Sequence, residues 1–376
     1  MAGIYIHIPF CRKACHYCNF HFSTSVRLQK DFVPALLKEI ELQQNYLSEP
    51  VSTIYFGGGT PSILPSADID RILQHLHKTF LIEQDLEVTL EANPDDISSA
   101  KLSEWKAIDI NRLSIGIQSF FEDDLKWMNR AHNAQQATEC IELANKAGFN
   151  NLSVDLIYGT PTLGNDNWKS NVEKAIELSI PHLSCYALTV EPKTALEKMI
   201  AQKKMANVET EKQAIHFELL MQWMHEAGYE HYEISNFSKP GFRSKHNSSY
   251  WQSKTYLGLG PSAHSFNGTS RQWNIANNAL YIQSLHKNIV PFETETLTAN
   301  QRFNEYIMTG LRTMEGLSLQ KVTNDFGELQ TQELLQSAET YIRLSTLKIE
   351  NDYLQTTTKG KLMADGIAAD LFRVRV

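Results

Sequence analysis

Three cysteines, Cys11, Cys15 and Cys18, fall within eight residues of a chain that holds five. Thiolates spaced Cys-x3-Cys-x2-Cys can converge on one metal centre. A structural zinc ion would want a fourth ligand, which His16 or His21 could supply. An iron–sulfur cluster is the other candidate, and three thiolates leave one iron of a four-iron cluster open to a small molecule. The spacing differs from the paired Cys-x2-Cys knuckles of zinc ribbons, so a three-cysteine cluster ranks ahead of zinc and a disulfide last. Cys140, in a helical pattern, and Cys185, in a strand pattern, read as small buried hydrophobes.

A thiol loop of this kind needs a rigid base. The run Ile4-Tyr5-Ile6-His7-Ile8 alternates as a strand does, and Pro9 ends it because it has no N–H to continue a ladder. Apolar periodicity then predicts a helix over 31–47, a strand over 51–56 running into Gly57-Gly58-Gly59-Thr60-Pro61, and a helix over 67–80. Strands follow at 86–91, 112–118, 152–157 and 182–188, separated by helices at 99–108, 123–128, 134–147 and 167–179. Regular alternation at about 30 residues per unit implies a parallel sheet with helices outside it. Cys11, Glu91, Gln118, Asp155 and Tyr186 recur at the same end of successive strands, which points to one site at the mouth of a barrel or a partial (β/α)6 barrel.

Beyond this core, 208–228 reads as a long amphipathic helix with Ile215, Leu219, Leu220, Trp223 and Met224 on its apolar side, and 229–234 as a further strand. The stretch 235–268, rich in Gly, Ser, Asn and aromatics, reads as irregular. Helices at 303–312, 318–326 and 330–344, a β-like pair at 347–349 and 354–357, and a last helix from Lys359 predict a small, mostly helical, winged-helix-like C-terminal domain. The expected division is 1–235 for the barrel, 236–295 for a bridging region and 296–376 for the C-terminal domain.

Composition limits the function classes. The chain has 376 residues, is 42% hydrophobic and carries a net charge of −8, an acidic balance that argues against a nucleic-acid-binding surface. No apolar run approaches the roughly 20 residues that span a bilayer. The first residues enter a strand pattern with no basic and apolar leader, so a cytoplasmic location is expected, where cysteines serve as ligands more often than as disulfides.

The cysteine loop, with Tyr17 before its last thiol, resembles the cluster loop of radical S-adenosylmethionine (SAM) proteins. Tyr-Ile-His-Ile-Pro-Phe-Cys at 5–11 narrows the resemblance to the oxygen-independent coproporphyrinogen III oxidase-like family. Gly57-Gly58-Gly59-Thr60-Pro61, Glu91-Ala92-Asn93-Pro94, Gly116-Ile117-Gln118-Ser119-Phe120, Asn129-Arg130-Ala131-His132 and Asp155 to Pro161 look like that family in the same order, and with the C-terminal domain the likeness covers nearly the whole chain. It implies a [4Fe–4S] cluster on Cys11, Cys15 and Cys18, with SAM chelated at the open iron. It also implies SAM contacts from Tyr5, Tyr17, Gly58, Gly59, Thr60, Glu91, Gln118, Arg130 and Asp155. Glycines let backbone approach the methionine amine. Carboxylates suit the amine or ribose hydroxyls, and a guanidinium matches a carboxylate.

True oxidases of that family carry Gly-Cys after the third cluster cysteine. Here Asn19-Phe20 follows Cys18. The His246-Asn247-Ser248-Ser249-Tyr250-Trp251 element resembles instead the haem-chaperone branch. That implies haem as ligand and a haem-acceptor protein as partner, with flavodoxin or ferredoxin as an electron donor and a homodimer if two chains share the haem. His246 and His264 are the candidate iron ligands, with Tyr250 and Trp251 as aromatic walls. The alternative is a radical SAM oxidoreductase that decarboxylates porphyrinogen propionates, against which the missing cysteine counts. A zinc-bearing hydrolase or binding protein is a third reading.

Overall fold

The computed structural model describes residues 2–373. Its first half alternates strand and helix: β1 (Ala2–Ile8), α1 (Gln29–Leu42), β2 (Val51–Gly58), α2 (Ser66–Thr79), β3 (Ile82–Ala92), α3 (Ser99–Ala107), β4 (Arg112–Gln118), α4 (Glu122–Trp127), α5 (Ala134–Lys146), β5 (Leu152–Tyr158), α6 (Asn165–Glu177) and β6 (His182–Ala187). β1 to β6 pair in sequential order, all parallel, so every strand delivers its carboxyl end to the same rim. Near that rim Ile8 faces Gly58, Phe56 faces Leu90 and Tyr158 faces Ala187, and the register shifts between β4 and β5 before Gln118.

The elements form where local chemistry favours them. Asn133 accepts from the Gln136 N–H while the Gln136 amide accepts from the Asn133 N–H, a capping box that starts α5. Ser98 caps α3 in the simpler one-sided way. The parallel strands are buried on both faces, so they carry near-continuous apolar runs. One apolar cluster joins sheet and helices, with Trp105, Trp168, Phe56 and Phe149 fully buried; each such side chain contributes about 1.5–3 kcal/mol by leaving water. Cys140 and Cys185 belong to it.

Residues 188–298 depart most from expectation. They form α7 (Ala195–Ala201), α8 (Thr210–Glu226), β7 (Glu230–Glu233), β8 (Asn236–Ser238), α9 (Lys245–Trp251), β9 (Tyr256–Leu259), β10 (His264–Phe266), β11 (Ser270–Asn274), α10 (Asn278–Leu285) and β12 (Phe292–Thr296). The stretch read as irregular is therefore built into the sheet, which has 12 strands in the order β12-β11-β10-β9-β1-β2-β3-β4-β5-β6-β8-β7. β9 lies parallel to β1 and β8 antiparallel to β6. Strands of three or four residues carry no readable period, and β9 finds its partner some 250 residues upstream. Along α8 the buried stripe is His216, Phe217, Leu220, Met221 and Met224, while Ile215 is exposed.

The C-terminal part has its own core around Phe303, Ile307, Leu334, Leu347 and Ile367. It comprises α11 (Ala299–Gly310), β13 (Leu317–Ser318), α12 (Leu319–Phe326), α13 (Glu328–Arg343), β14 (Leu347–Glu350), β15 (Tyr353–Thr356), α14 (Thr358–Lys361) and α15 (Ala364–Asp370), with a small sheet ordered β13-β15-β14. Arg312 fastens it to the barrel: its Nε and Nη2 lie 3.0 Å from Glu233 Oε1, and its guanidinium lies 5.1 Å from the Trp251 ring. Among the described residues no helix is long and apolar enough to cross a membrane.

Candidate cluster and SAM site

The thiol loop is pinned at both ends. After Pro9, Phe10 is buried edge-on to Phe32, 5.5 Å between centroids. The Cys11 N–H donates to Ser23 O and the Ser23 N–H to Pro9 O, which closes a compact loop over 11–22. Its outer turn is held by the segment after α4: the His16 N–H donates to Met128 O, His16 Nδ1 meets Trp127 O at 3.0 Å, and Asn129 Nδ2 donates to Ala14 O. His21 Nε2 is bonded to Asn278 Oδ1 at 2.7 Å. Neither histidine closes a ligand set with the thiols, and among the described residues no three His, Cys, Asp or Glu side chains converge as a single ion requires.

The thiols instead border a cavity of about 470 Å³ at the strand rim. Burial pushes the Cys11 thiol up to about 11, opposed by the Thr60 hydroxyl, which donates to its Sγ at 3.4 Å. Beside them runs the glycine loop. Gly59 is pressed against the start of the cysteine loop, where a Cβ would lie 2.7 Å from Phe10 O and 2.8 Å from Ile8 O. Gly58 has φ +104°, and a Cβ there would meet the His7 ring at 2.6 Å. Only glycine lets strand end, histidine and thiol loop approach this closely.

Polar groups from successive strands face the same space. Glu91, near the end of β3, accepts from the Tyr55 hydroxyl at 2.7 Å and from the Gly58 N–H. Burial raises its carboxyl to about 7, with the neighbouring Asp155 adding to the rise. Burial likewise lifts Asp155 on β5 to about 6, against the pull of the Arg112 guanidinium. Gln118 ends β4 with φ +70°, where the register with β5 shifts, so strain is concentrated at a residue lining the cavity. Arg130 spans the site: Nη1 donates to Cys15 Sγ at 3.3 Å, Nη2 to Asn93 Oδ1 at 2.8 Å and to Gly116 O at 2.6 Å. Its Nε is buried without a protein partner.

The cavity therefore gathers Tyr17, Gly58, Gly59, Thr60, Glu91, Gln118, Arg130 and Asp155 with the three cysteines. Tyr5 is not among them. It lies on the same face of β1 as His7 but deeper along the strand, its hydroxyl 3.2 Å from His7 Nδ1 and its ring against Tyr55. Depth along β1 decides this: residues 5 and 7 share a face, and His7, two residues on, takes the position nearer the rim. Sequence reasoning missed Asn93, Ser114, Gly116, Phe22 and Glu191 as lining residues. Asn93 and Gly116 were within quoted motifs; Glu191 lies in a loop with no periodic signal.

A second cavity of about 360 Å³ adjoins the first at Glu91 and Tyr186, and is lined by Tyr5, Tyr55, His246, Tyr250, Trp251 and Arg312 among others. The haem candidates separate here. His246 is 1% exposed, with Nδ1 bonded to Thr53 Oγ1 and Nε2 to the Tyr250 hydroxyl, both at 2.8 Å, so neither nitrogen is available to iron in this arrangement. His264 is exposed at the start of β10 and stacks on Trp273, 6.3 Å between centroids. The two histidines lie on different elements and do not share a pocket.

Comparison with known proteins agrees with this geometry. Residues 5–192 match the model of the radical SAM superfamily, and 297–363 match the HemN C-terminal domain. The heme chaperone HemW of Bacillus subtilis is 33% identical over 331 residues, 87% of each chain. That of Mycobacterium tuberculosis is 32% identical over 375 residues, 98% of this chain and 94% of the relative. The chain belongs to the HemW family of radical SAM proteins. A coproporphyrinogen III oxidase structure from Escherichia coli superposes with a TM-score of 0.85 over 99% of this chain and 90% of its own, at 22% identity, which shows a shared fold. Membership of the radical SAM superfamily implies a [4Fe–4S] cluster and SAM.

Proposed function

We propose that this protein is a haem chaperone of the HemW kind, which holds a [4Fe–4S] cluster and SAM at the barrel rim, binds haem and passes it to an acceptor protein. The observation that carries the reading is the likeness to proteins named heme chaperone HemW, which extends over almost the entire chain and includes the thiol loop and α9.

The rim residues fit the cofactors. Three thiols around one cavity, with neither neighbouring histidine completing the set, suit a cluster with one open iron better than a tetrahedral zinc ion. Cys11, Cys15 and Cys18 would hold the cluster. The Gly58–Thr60 backbone, Glu91, Gln118 and Asp155 would hold SAM, and Tyr17 would cover it. When bound, the cluster supplies one-electron reduction of the sulfonium. The chain's own part is positional. Arg130 ties Cys15 to β3 and β4, so the thiol loop and the SAM side of the site move as one body. Thr60 links Cys11 to Asn93, whose Nδ2 donates to Thr60 Oγ1 at 3.1 Å. Glu91, held by the Tyr55 hydroxyl at Oε1, lines the cavity, where its carboxylate would accept from an ammonium.

Phe20 stands at the cavity mouth, 66% exposed, where porphyrinogen oxidases have cysteine, and this favours a binding role over decarboxylation. Anaerobic reconstitution should give about four irons per chain. Haem should then bind stoichiometrically with a Soret shift and transfer to an acceptor apoprotein. Absent haem binding, together with SAM-dependent loss of coproporphyrinogen, would establish the oxidase instead.

A further inference from the structure

We propose that His246 is a positioning residue for the Glu91 carboxylate, and through it for SAM, rather than an axial ligand of haem iron. The proposal rests on the reading of the rim cavity as a SAM site.

α9 is docked sideways on the strands that build that site. Its first two N–H groups, of Lys245 and His246, donate to the two oxygens of Glu87 on β3, each at 3.0 Å. Glu87 lies on the same strand as Glu91, four residues before it, so the two side chains share a face of the sheet. The His246 ring then reaches inward. It is fixed at one nitrogen by Thr53 on β2 and at the other by Tyr250, one turn along α9. Gly3 makes room for it: a Cβ there would lie 2.9 Å from Thr53 Oγ1 and 3.3 Å from the imidazole.

In that position the imidazole stacks on Tyr55, 4.9 Å between centroids and 22° between planes. Tyr55 and Tyr5 are themselves 6.2 Å apart and nearly parallel. The Tyr55 hydroxyl is the donor to Glu91 Oε1. Gly57 lets these parts meet, since a Cβ there would come within 2.9 Å of both tyrosine rings and 3.1 Å of Glu91 Oε1. An unbroken series of contacts thus runs from α9 through His246 and Tyr55 to a carboxylate lining the rim cavity. Presenting His246 to iron would require the ring to give up its bond to Thr53 or to Tyr250, and moving it would disturb the face on which Tyr55 is stacked.

The test uses the full-length chain with its cluster reconstituted anaerobically, and compares wild type with Tyr55→Phe, His246→Ala and His246→Gln. SAM affinity is read by equilibrium dialysis, the change in the EPR spectrum of the reduced cluster on adding SAM reports its placement, and the Soret band reports haem. Tyr55→Phe and His246→Ala should weaken SAM by about tenfold, the scale of a lost hydrogen bond to a charged group, and diminish the EPR change. His246→Gln, which keeps polar atoms toward Thr53 and Tyr250, should recover part of both. Haem binding should be unaltered in all three. Wild-type SAM affinity in Tyr55→Phe and His246→Ala overturns the proposal, as does loss of the Soret shift in His246→Ala with SAM affinity kept. Should His246→Ala not fold, Tyr55→Phe, which deletes one oxygen and keeps the ring, decides alone. If wild type itself binds no SAM, the reading of the cavity fails, a result distinct from a variant that binds normally.

Discussion

Gly59→Ala isolates the contact between the glycine loop and the thiol loop. The Gly59 backbone does not require a left-handed conformation, so the substitution tests space alone. Its Cβ would sit 2.7 Å from Phe10 O, 2.8 Å from Ile8 O and 3.0 Å from Phe10 N, all backbone atoms that cannot rotate away. Relief needs a shift of roughly half an ångström or more between β2 and the segment leading into Cys11, and overpacking of this kind costs about 1–3 kcal/mol. In a chain of this size that lowers Tm by roughly 1–5 °C. The shift also falls directly on the first cluster cysteine, so iron incorporation should drop to well under half of wild type. Differential scanning fluorimetry and iron quantification after anaerobic reconstitution measure the two effects. Gly366→Ala, in α15 with open space around it, is the control and should leave Tm unchanged or raise it slightly. A Gly59→Ala protein with the wild-type Tm and full iron content would refute the argument that close approach, rather than a generic turn, demands glycine here.

Three further outcomes follow from the same geometry. Arg130→Lys replaces a guanidinium with three partners by one ammonium and should cost about 1–3 kcal/mol, with weakened cluster retention, read by melting and by iron loss to a chelator. Glu39 is fully buried on α1, accepting from Tyr281, from the Gly260 N–H and from Asn274, and burial raises its carboxyl to about 7. The fold therefore holds this proton more tightly than the unfolded chain, so the contribution of Glu39 to stability is full below about pH 4.5 and is lost as pH rises to about 7, an amount on the order of 3 kcal/mol; Glu39→Gln should flatten that part of the Tm–pH curve, and an unchanged slope would contradict it. Arg312→Ala strips the buried Glu233 of its cation and should destabilise by roughly 3–5 kcal/mol, with limited proteolysis cutting first between barrel and C-terminal domain.

The alternation of strands and helices, the rim of strand ends and the three-thiol spacing were legible in the sequence because each is local. A period of two or 3.6, a proline that stops a ladder and three thiols in eight residues need no knowledge of distant partners. Gln118, Glu91 and Asp155 could be grouped because parallel strands deliver equivalent positions to one edge. What the sequence could not determine depends on partners brought from far along the chain. The incorporation of 236–296 into the main sheet rests on β1 accepting β9 at its free edge. Tyr5 lies below the rim because β1 ends at Ile8, which gives the rim position on that face to His7. His246 looked like an available ligand beside two aromatics, and only the docking of α9 on Thr53, Tyr55 and Glu87 shows both of its nitrogens in use. A side chain's type is written in the sequence; whether its polar atoms are free is decided by which neighbours the fold gives it.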